Sequence, residues 1–141
     1  MILAGVPIAA PSGLMATSDG DVAVHAVIDA LLGAAALGDL GAHFPSSDDR
    51  WRGADSLDLL REAVRLASNA GVIAASADVT VVAEAVPISP HREAMRANLA
   101  SALGIPVAAI SVKATTTDGM GFIGRGEGIA AMAVVVAHAS P

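Results

Sequence analysis

The sequence predicts one α/β domain over residues 1–141, in which three helices cover one face of a sheet. Runs with helical spacing alternate along the chain with short runs rich in Val and Thr, which are typical of strands. No segment rich in Pro, Gly or Ser is long enough to separate two domains. Hydrophobic residues make up 54% of the chain and charged residues 16%, a balance that excludes a disordered chain or a coiled coil.

Three helices are predicted from the residues at their ends, because Ser, Asp and Pro favour a helix start and Gly favours its end. In the first helix Ser18 is the expected N-cap, and Asp21 follows three residues later as in a capping box. Leu57, Leu60 and Val64 give the second helix an apolar face at helical spacing. The predicted spans are 18–38, 55–71 and 89–104.

Four strands are predicted from β-branched runs between these helices. The last of them is a mixed signal, because its alanines favour a helix and its three consecutive valines favour a strand; we assign it as a strand. The first is expected to end before Pro11 and Gly13, which interrupt extended structure. The predicted spans are 2–8, 77–85, 110–114 and 129–139.

The charge balance and the missing residue types exclude several classes of function. A net charge of −6 with a single lysine, Lys113, argues against a nucleic-acid surface, and the absence of cysteine excludes a disulfide framework. The apolar start has no preceding basic residue and is too short to span a bilayer, so we expect a cytoplasmic protein. So much apolar sequence with few charges also predicts burial between the subunits of an oligomer.

A first polar cluster lies on the first predicted helix. Asp21, His25 and Asp29 stand four residues apart and therefore share one helical face. A histidine between two carboxylates is typical of a metal ligand with its supporting shell. A capped helix start with one hydrogen-bonded histidine explains the same residues, and one histidine cannot hold a catalytic zinc, which needs about three protein ligands.

Two further clusters have polar residues in turns. The run 113–119, KATTTDG, leaves a strand and leads into a glycine-rich loop, and its hydroxyl and N–H groups suit phosphate oxygens. Asp118 could hold a magnesium ion there, although the run is not a P-loop and a turn-rich connection explains it equally well. In the run 38–48, Asp39 between two glycines either exposes its carboxylate to sugar hydroxyls or caps a turn.

Together the three clusters resemble the 2-C-methyl-D-erythritol 2,4-cyclodiphosphate synthase family of the non-mevalonate isoprenoid pathway. The resemblance covers the chain nearly end to end and is carried by the stretches SDGDVAVHAVIDALLGAAALGDLGAHFP, ADVTVVAEA with PHREAMRANLA, and VKATTTDGMGFIGRGEGIAAMAVV. It implies a homotrimer of α/β subunits with three active sites at subunit interfaces. The implied reaction is the attack of a 2-phosphate on the β-phosphate of a cytidine-diphosphate-linked substrate, which releases CMP and closes a cyclic diphosphate.

The resemblance also implies roles for individual residues. His25 matches a zinc ligand, Asp118 stands where a glutamate for magnesium or manganese is usual, and Thr116 matches the catalytic threonine that stabilises the transition state. The loop 83–89 matches the segment around the cytosine. The remaining matched positions are implied to contact the substrate: Thr17, Ser18, Asp39, Leu40, Gly41, Phe44, Asp48, Ala83, Ile88, Ala114, Thr115, Thr117, Phe122 and Arg125.

The chain departs from the family pattern at three places. The family's Asp-x-His strand, which supplies two further zinc ligands, is not found before residue 2, Thr17 replaces a histidine, and Val86-Pro87 replaces a Pro-Lys pair. A piece of a longer synthase, a divergent member and a rearranged metal site using His43 or His91 are the three explanations. Two functions follow as expectations: metal-assisted cyclisation, or a catalytically impaired trimer that binds a cytidine nucleotide or an isoprenoid phosphate without turnover.

Overall fold

The computed structural model describes all 141 residues and contains five strands and five helices. None of these helices combines the length and the apolar character that crossing a membrane requires. The strands are β1 (Ile2–Leu3), β2 (Val6–Pro7), β3 (Val72–Val82), β4 (Ile110–Thr115) and β5 (Ala130–Ala139). The helices are α1 (Val22–Ala34), α2 (Leu40–His43), α3 (Ser56–Asn69), α4 (Arg92–Leu103) and α5 (Gly121–Gly124).

A three-stranded sheet in the order β4-β3-β5 organises the chain. The central strand β3 runs parallel to β4 and antiparallel to β5, with one irregularity in its register between Ala74 and Ser76. Along β3 the residues Ala77, Val79 and Val81 are buried, whereas those between them are only half-buried. This alternation is the period of a strand with one covered face.

Three long helices cover that buried face. Helix α1 packs on β5 and β3, α3 on β3, and α4 on β4. Each helix contributes fully buried leucines to the shared core, among them Leu31, Leu60 and Leu99. The prediction of an α/β domain with three helices on one sheet face is therefore confirmed, and the polar loops at the strand ends are left free for a site.

The opposite face of the sheet is open. On β5 the side chains of Met132, Val134 and Val136 point to this face and are 64%, 64% and 57% exposed. Next to them the only lysine, Lys113, pairs with Asp78 at 2.6 Å, and this contact lowers the pKa of Asp78 below its usual value. An apolar stripe of this kind on a surface is typical of an interaction face.

The predicted strand over residues 2–8 is wrong in detail, because this segment forms the separate hairpin β1-β2. Its two turn residues, Ala4 and Gly5, have φ of 47° and 72°, the conformation that a two-residue hairpin turn requires. The buried carboxylate of Asp21 accepts hydrogen bonds from both turn amides, at 2.9 Å and 2.7 Å. A contact across this distance in sequence could not be read from the local pattern.

Helix α1 is shorter at both ends than predicted. It begins at Val22 with Asp21 as its N-cap, whose side chain accepts a hydrogen bond from the Val24 amide, so Ser18 lies outside it. It ends at Ala34 because Ala36 adopts a left-handed conformation with φ of 54°, and the Leu37 amide donates back to the carbonyl of Leu32. These bonds form the helix end that Gly38 was expected to make.

The other predicted boundaries are closer to the structure. The N-cap of α3 is Asp55, as predicted, and the helix α4 is closed by Gly104 in the left-handed region. A 3-10 turn over Ser89–His91 precedes α4, so the predicted helix start is one turn too early. Strand β3 begins five residues before its predicted start, because residues from Val72 onward pair with the end of β5.

We predict that Asp21→Ala is strongly destabilising. Asp21 is fully buried, and its loss removes the acceptor of three backbone N–H groups at once. The free energy of unfolding in urea should fall by about 3 kcal/mol or more, since each buried donor left without a partner costs ~1–3 kcal/mol. Burial raises the pKa of this carboxyl, and the three N–H donors offset part of the rise.

The control for this experiment is Asp49→Ala. Asp49 is exposed and its side chain pairs only with the exposed Arg52, so a change of less than about 1 kcal/mol is expected. Equal destabilisation by the two substitutions would contradict the capping role of Asp21.

Candidate functional site

The first part of the site surrounds His25, which is half-buried on α1. Its Nε2 atom lies 2.9 Å from Ser56 Oγ and 3.2 Å from Ser18 Oγ. Ser56 is fully buried at the start of α3, where its hydroxyl donates to the carboxylate of Asp19. The ring borders a cleft of about 170 Å³ whose lining residues are Ala16, Thr17, Ser18, His25, Leu40, Phe44, Ser46 and Leu59.

The two carboxylates spaced four residues from His25 are not its partners. Asp21 caps α1, and Asp29 Oδ1 accepts a hydrogen bond of 2.7 Å from the amide of Leu40 at the start of α2. The prediction of a histidine flanked by Asp21 and Asp29 is wrong, and the alternative of a capped helix with a hydrogen-bonded histidine is confirmed. Backbone amides take up these carboxylates because each lies beside a helix or turn start.

The second part follows α1 and contains the run 38–48. Asp39 caps the short helix α2 through a 2.9 Å bond from the Ala42 amide, which leaves Leu40 and Gly41 in its first turn. Phe44 is buried with its ring edge-on to Trp51, 5.1 Å between centroids. Asp48 pairs with Arg50 at 2.6 Å, and this hydrogen-bonded pairing lowers the pKa of Asp48.

The third part is the threonine loop, residues 115–119, which leaves the carboxyl end of β4. Asp118 has φ of 52° and Gly119 of 78°, so the chain reverses at this point. Thr116 Oγ1 donates to Asp118 Oδ1 at 3.2 Å and accepts from the Asp118 amide at 3.2 Å. Thr117 instead turns its hydroxyl to the loop itself, 2.6 Å from the carbonyl of Met120.

A cleft of about 350 Å³ lies between this loop and the segment after β3. Because β3 and β4 are parallel, their carboxyl ends meet at one edge of the sheet, and the Ala83 amide still donates to the Thr115 carbonyl at 3.0 Å. Ala83 and Ile88 are buried, whereas Thr115 and Thr116 are exposed. The lining residues are Ala83, Glu84, Val86, Pro87, Ile88, Ser89, Pro90, Ala114, Thr115 and Thr116.

The sequence analysis missed Glu84, which holds the threonine loop in place. Its Oε1 atom accepts from the Thr117 amide at 2.7 Å, the Thr117 hydroxyl at 3.0 Å and the Gly119 amide at 3.4 Å. These three donors lower the pKa of Glu84 below its usual value. The available signal was one acidic residue directly after a Val-rich strand, a position that a parallel neighbour brings beside the next loop.

The glycine-rich run after the threonine loop packs closely against it. A Cβ atom at Gly124 would lie 2.1 Å from the carbonyl carbon of Gly119, so this position requires glycine. Phe122 is 54% exposed and its ring lies against Gly128, while Arg125 pairs with Glu127 at 2.8 Å. These residues border a cleft of about 290 Å³ that also touches Glu84.

The structure brings some of the predicted residues together and keeps others apart. Ala83, Ile88, Ala114, Thr115 and Thr116 share one cleft. The cleft beside His25 has no lining residue in common with it. Within one chain, the predicted phosphate contacts at Thr17 and Ser18 are therefore separate from the predicted nucleotide contacts.

The residues of this chain do not fit a complete zinc site. No group of three or more His, Cys, Asp or Glu side chains is placed to hold a metal ion. His25 uses Nε2 for two serine hydroxyls, and His43 directs its Nε2 to the Leu37 carbonyl at 2.7 Å. Asp118 does fit magnesium or manganese, because such ions are held by one or two carboxylates together with substrate phosphates.

We predict that the clamp formed by Glu84 is sensitive to pH. Because its folded-state pKa is below the unfolded value of 4.5, Glu84 stabilises the loop above pH 4.5, and this contribution is lost as the pH falls through the lowered pKa. The Thr117 amide proton, followed by NMR, should shift with a midpoint below 4.5. Glu84→Gln keeps the accepting oxygen but removes the charge, so the shift should vanish; its persistence in that variant would contradict the assignment.

The fold and the site define a class of small α/β enzymes with polar loops at the carboxyl ends of two parallel strands. A solved structure of 2C-methyl-D-erythritol-2,4-cyclodiphosphate synthase superposes with a TM-score of 0.88 at 38% identity, covering 98% of this chain and 89% of that one. Its CDP-bound form gives a TM-score of 0.87 at 36% identity. The bifunctional IspDF of Campylobacter jejuni gives 0.94 at 40% identity, with 99% of this chain matching 38% of that one.

The chain belongs to the YgbB family, whose profile matches residues 1–138. It is 53% identical over 139 residues to the 2-C-methyl-D-erythritol 2,4-cyclodiphosphate synthase of Marinobacter nauticus, covering 99% of this chain and 87% of that protein. It is 57% identical over 134 residues to the bifunctional enzyme IspD/IspF of Hyphomonas neptunium, where it covers 95% of this chain but only 35% of that protein. The resemblance stated from the sequence is thereby confirmed.

Proposed function

We propose that this chain, as one domain over residues 1–141, cyclises 4-diphosphocytidyl-2-C-methyl-D-erythritol 2-phosphate to 2-C-methyl-D-erythritol 2,4-cyclodiphosphate with release of CMP. The observation that carries the proposal is the threonine loop, whose exposed hydroxyls border a cleft at the carboxyl ends of β3 and β4. The relatives named for this reaction, at 53–55% identity over 136 residues or more, support it.

The reaction is an intramolecular phosphoryl transfer. An oxygen of the 2-phosphate attacks the β-phosphorus, a new P–O bond closes the ring, and the bond from the β-phosphorus to the bridging oxygen of CMP breaks. Little covalent chemistry is left for the protein, so positioning and electrostatic stabilisation provide the catalysis. A magnesium or manganese ion at Asp118 would neutralise charge on the diphosphate when bound.

The threonine loop performs the stabilising step in this proposal. Thr116 is the catalytic residue: its hydroxyl, which donates to Asp118 in the free protein, turns to an oxygen of the reacting diphosphate. The backbone around Ala114 and Thr115 and the segment with Ala83 and Ile88 hold the cytidine diphosphate. The Glu84 clamp keeps these groups in place before the substrate arrives.

The opposite end of the substrate is assigned to the His25 cleft. Thr17, Ser18 and the residues of the run 38–48, namely Asp39, Leu40, Gly41, Phe44 and Asp48, take the methylerythritol moiety and its phosphate. Since zinc does not fit the residues present, no step is assigned to it; hydroxyl groups at this cleft provide hydrogen bonds to phosphate oxygens. Phe122 and Arg125 complete the substrate contacts.

A homotrimer reconciles these two separate clefts. The exposed stripe of Met132, Val134 and Val136 is an apolar sheet face that a second and third copy of the chain would cover. In such an assembly the His25 cleft of one subunit faces the threonine loop of the next, and each active site is formed between subunits.

A second function is favoured by one observation, the lack of a group of three metal ligands in the chain. A trimer with this site could bind a cytidine nucleotide or an isoprenoid phosphate without turnover. The fate of the substrate separates the two functions, because only the enzyme converts it.

The test is phosphorus NMR of the purified protein with the cytidine-diphosphate-linked substrate, with magnesium and with zinc in turn. A cyclic diphosphate appearing together with stoichiometric CMP is the expected result. Calorimetry with CDP is run in parallel on the same protein. CDP binding without any cyclic product would establish the binding function instead, and failure to bind CDP or to turn over would overturn both.

A further inference from the structure

Three side chains from distant parts of the sequence form a chain of hydrogen bonds at His25. The hydroxyl of Ser56 donates to Asp19 Oδ1, and the Ser56 amide donates to Asp19 Oδ2 at 3.0 Å. The amide of Asp21 donates to the same Asp19 Oδ1 at 3.1 Å. On its other side, Ser56 Oγ lies 2.9 Å from His25 Nε2. The whole chain of contacts is enclosed, since Ser56 is fully buried.

The donors and acceptors in this chain determine where the hydrogen atoms are. A serine hydroxyl has a single hydrogen, and the hydrogen of Ser56 is directed to the carboxylate of Asp19, which accepts. Ser56 Oγ can therefore only accept from the imidazole. It follows that Nε2 of His25 carries a hydrogen, and that Asp19 determines this through Ser56.

The same hydrogen has a consequence for Ser18. Its Oγ atom lies 3.2 Å from His25 Nε2 and 3.4 Å from the amide of Gly20, and both of these are N–H donors. Ser18 Oγ therefore accepts from both neighbours, and its own hydrogen has no acceptor among them. Ser18 lines the cleft beside His25, so this hydrogen is free for an oxygen atom of a ligand there.

The other ring nitrogen of His25 also remains free. No protein group within hydrogen-bonding distance contacts Nδ1, and with a hydrogen on Nε2 the neutral ring keeps its lone pair on Nδ1. In histidine sites the nitrogen that binds a ligand is commonly opposite the one fixed by a supporting acceptor.

We infer that Asp19 and Ser56 are positioning residues that hold the hydrogen of His25 on Nε2, so that Nδ1 is the nitrogen presented to a cation and the Ser18 hydroxyl donates to an anionic oxygen. The inference concerns the phosphate end of the site and rests on the proposed function for the identity of the anion. The hydrogen-bond chain itself is a property of the protein without substrate.

The direct test is NMR of protein labelled with nitrogen-15 in its histidines, with His25 assigned from a His25→Gln variant. The expected signal is a slowly exchanging ring proton bonded to Nε2, protected by the buried Ser56. This proton should disappear in Ser56→Ala and remain in Ser68→Ala, a matched change of an exposed serine on the same helix. A ring proton on Nδ1, no protected proton, or a proton unaffected by Ser56→Ala would each overturn the inference.

Asp19→Asn provides a second variant should Ser56→Ala fail to fold, which circular dichroism would reveal. It replaces one accepting oxygen of Asp19 by an amide group, so it should weaken the same ring-proton signal without altering Ser56.

A kinetic comparison separates this inference from the proposed function. Ser56→Ala should lower CMP release more than tenfold and leave the affinity for CDP unchanged, because Ser56 lies outside the nucleotide cleft. Ser68→Ala should match the parent protein in both. A parent protein that shows the protected proton but no turnover would refute the proposed function alone, whereas full turnover by Ser56→Ala would refute the positioning role.

Discussion

Thr116→Val is expected to lower kcat for CMP release by about 10²–10³-fold while leaving the dissociation constant for CDP nearly unchanged. This is the size of effect seen when one preorganised hydrogen-bond donor is removed from a transition state. Valine matches threonine in shape, so the substitution removes the hydroxyl and little else. Single-turnover kinetics and calorimetry with CDP measure the two quantities.

The position of Thr116 explains why the effect should fall on kcat. It is exposed at the edge of the nucleotide cleft, and its hydroxyl is shared only with Asp118 of the same loop. Thr117, by contrast, uses its hydroxyl to hold the loop against Met120 and Glu84. Thr116 is thus the threonine whose hydrogen can be redirected to a ligand without opening the loop.

Thr116→Ser is the matched control, because it restores the hydroxyl and should recover most of the activity. A loss of CDP affinity equal to the loss of kcat would show that Thr116 acts in binding rather than in the transition state. Full activity of Thr116→Val would remove Thr116 from the catalytic role.

Val136→Asp is expected to convert the trimer to monomers and to abolish turnover. Val136 lies on the open sheet face and is 57% exposed in the single chain, and its partner across β3 is the uncharged Ser76. In a trimer that buries this face, an unpaired carboxylate costs several kcal/mol, which raises the dissociation constant by about three orders of magnitude or more. Sedimentation velocity at two concentrations measures the change.

Two comparisons make this prediction specific. Ser68→Asp places the same charge on the exposed side of α3, away from the sheet face, and should leave both sedimentation and turnover unchanged. Val136→Thr keeps the side-chain shape and should weaken assembly much less than the charged variant. A parent protein that sediments as a monomer would contradict the proposed trimer, and a trimer that persists in Val136→Asp would exclude this face from the interface.

Local signals predicted most of the secondary structure. The capping aspartate and helical apolar face of α3, the glycine that closes α4, and the paired valines of β5 lie within a few residues of the structure they specify. The hairpin of residues 2–7 was missed because its turn depends on Asp21, 17 positions after Ala4. The same carboxylate makes α1 begin later than the capping-box pattern indicates.

The candidate site was predicted unevenly for the same reason. The threonine run was recognisable because consecutive hydroxyls next to a turn are a local feature, and the structure places them at a cleft. Glu84 was missed because its role depends on Thr117, 33 positions later, which the parallel pairing of β3 with β4 brings within reach. Asp29 was assigned to His25 because spacing reports a shared helix face but cannot show that the Leu40 amide takes its carboxylate.

The sequence by itself determined the α/β class, the family and the residues with reactive groups, because each of these is expressed in local patterns and in runs of matching residues. Only the tertiary structure decided which groups work together: the buried Asp21 at the hairpin, Glu84 under the threonine loop, and Asp19 with Ser56 behind His25. The physical reason is that a hydrogen bond depends on distance and direction between atoms. Residues 31 positions apart, such as His25 and Ser56, meet only after helices α1 and α3 have packed together.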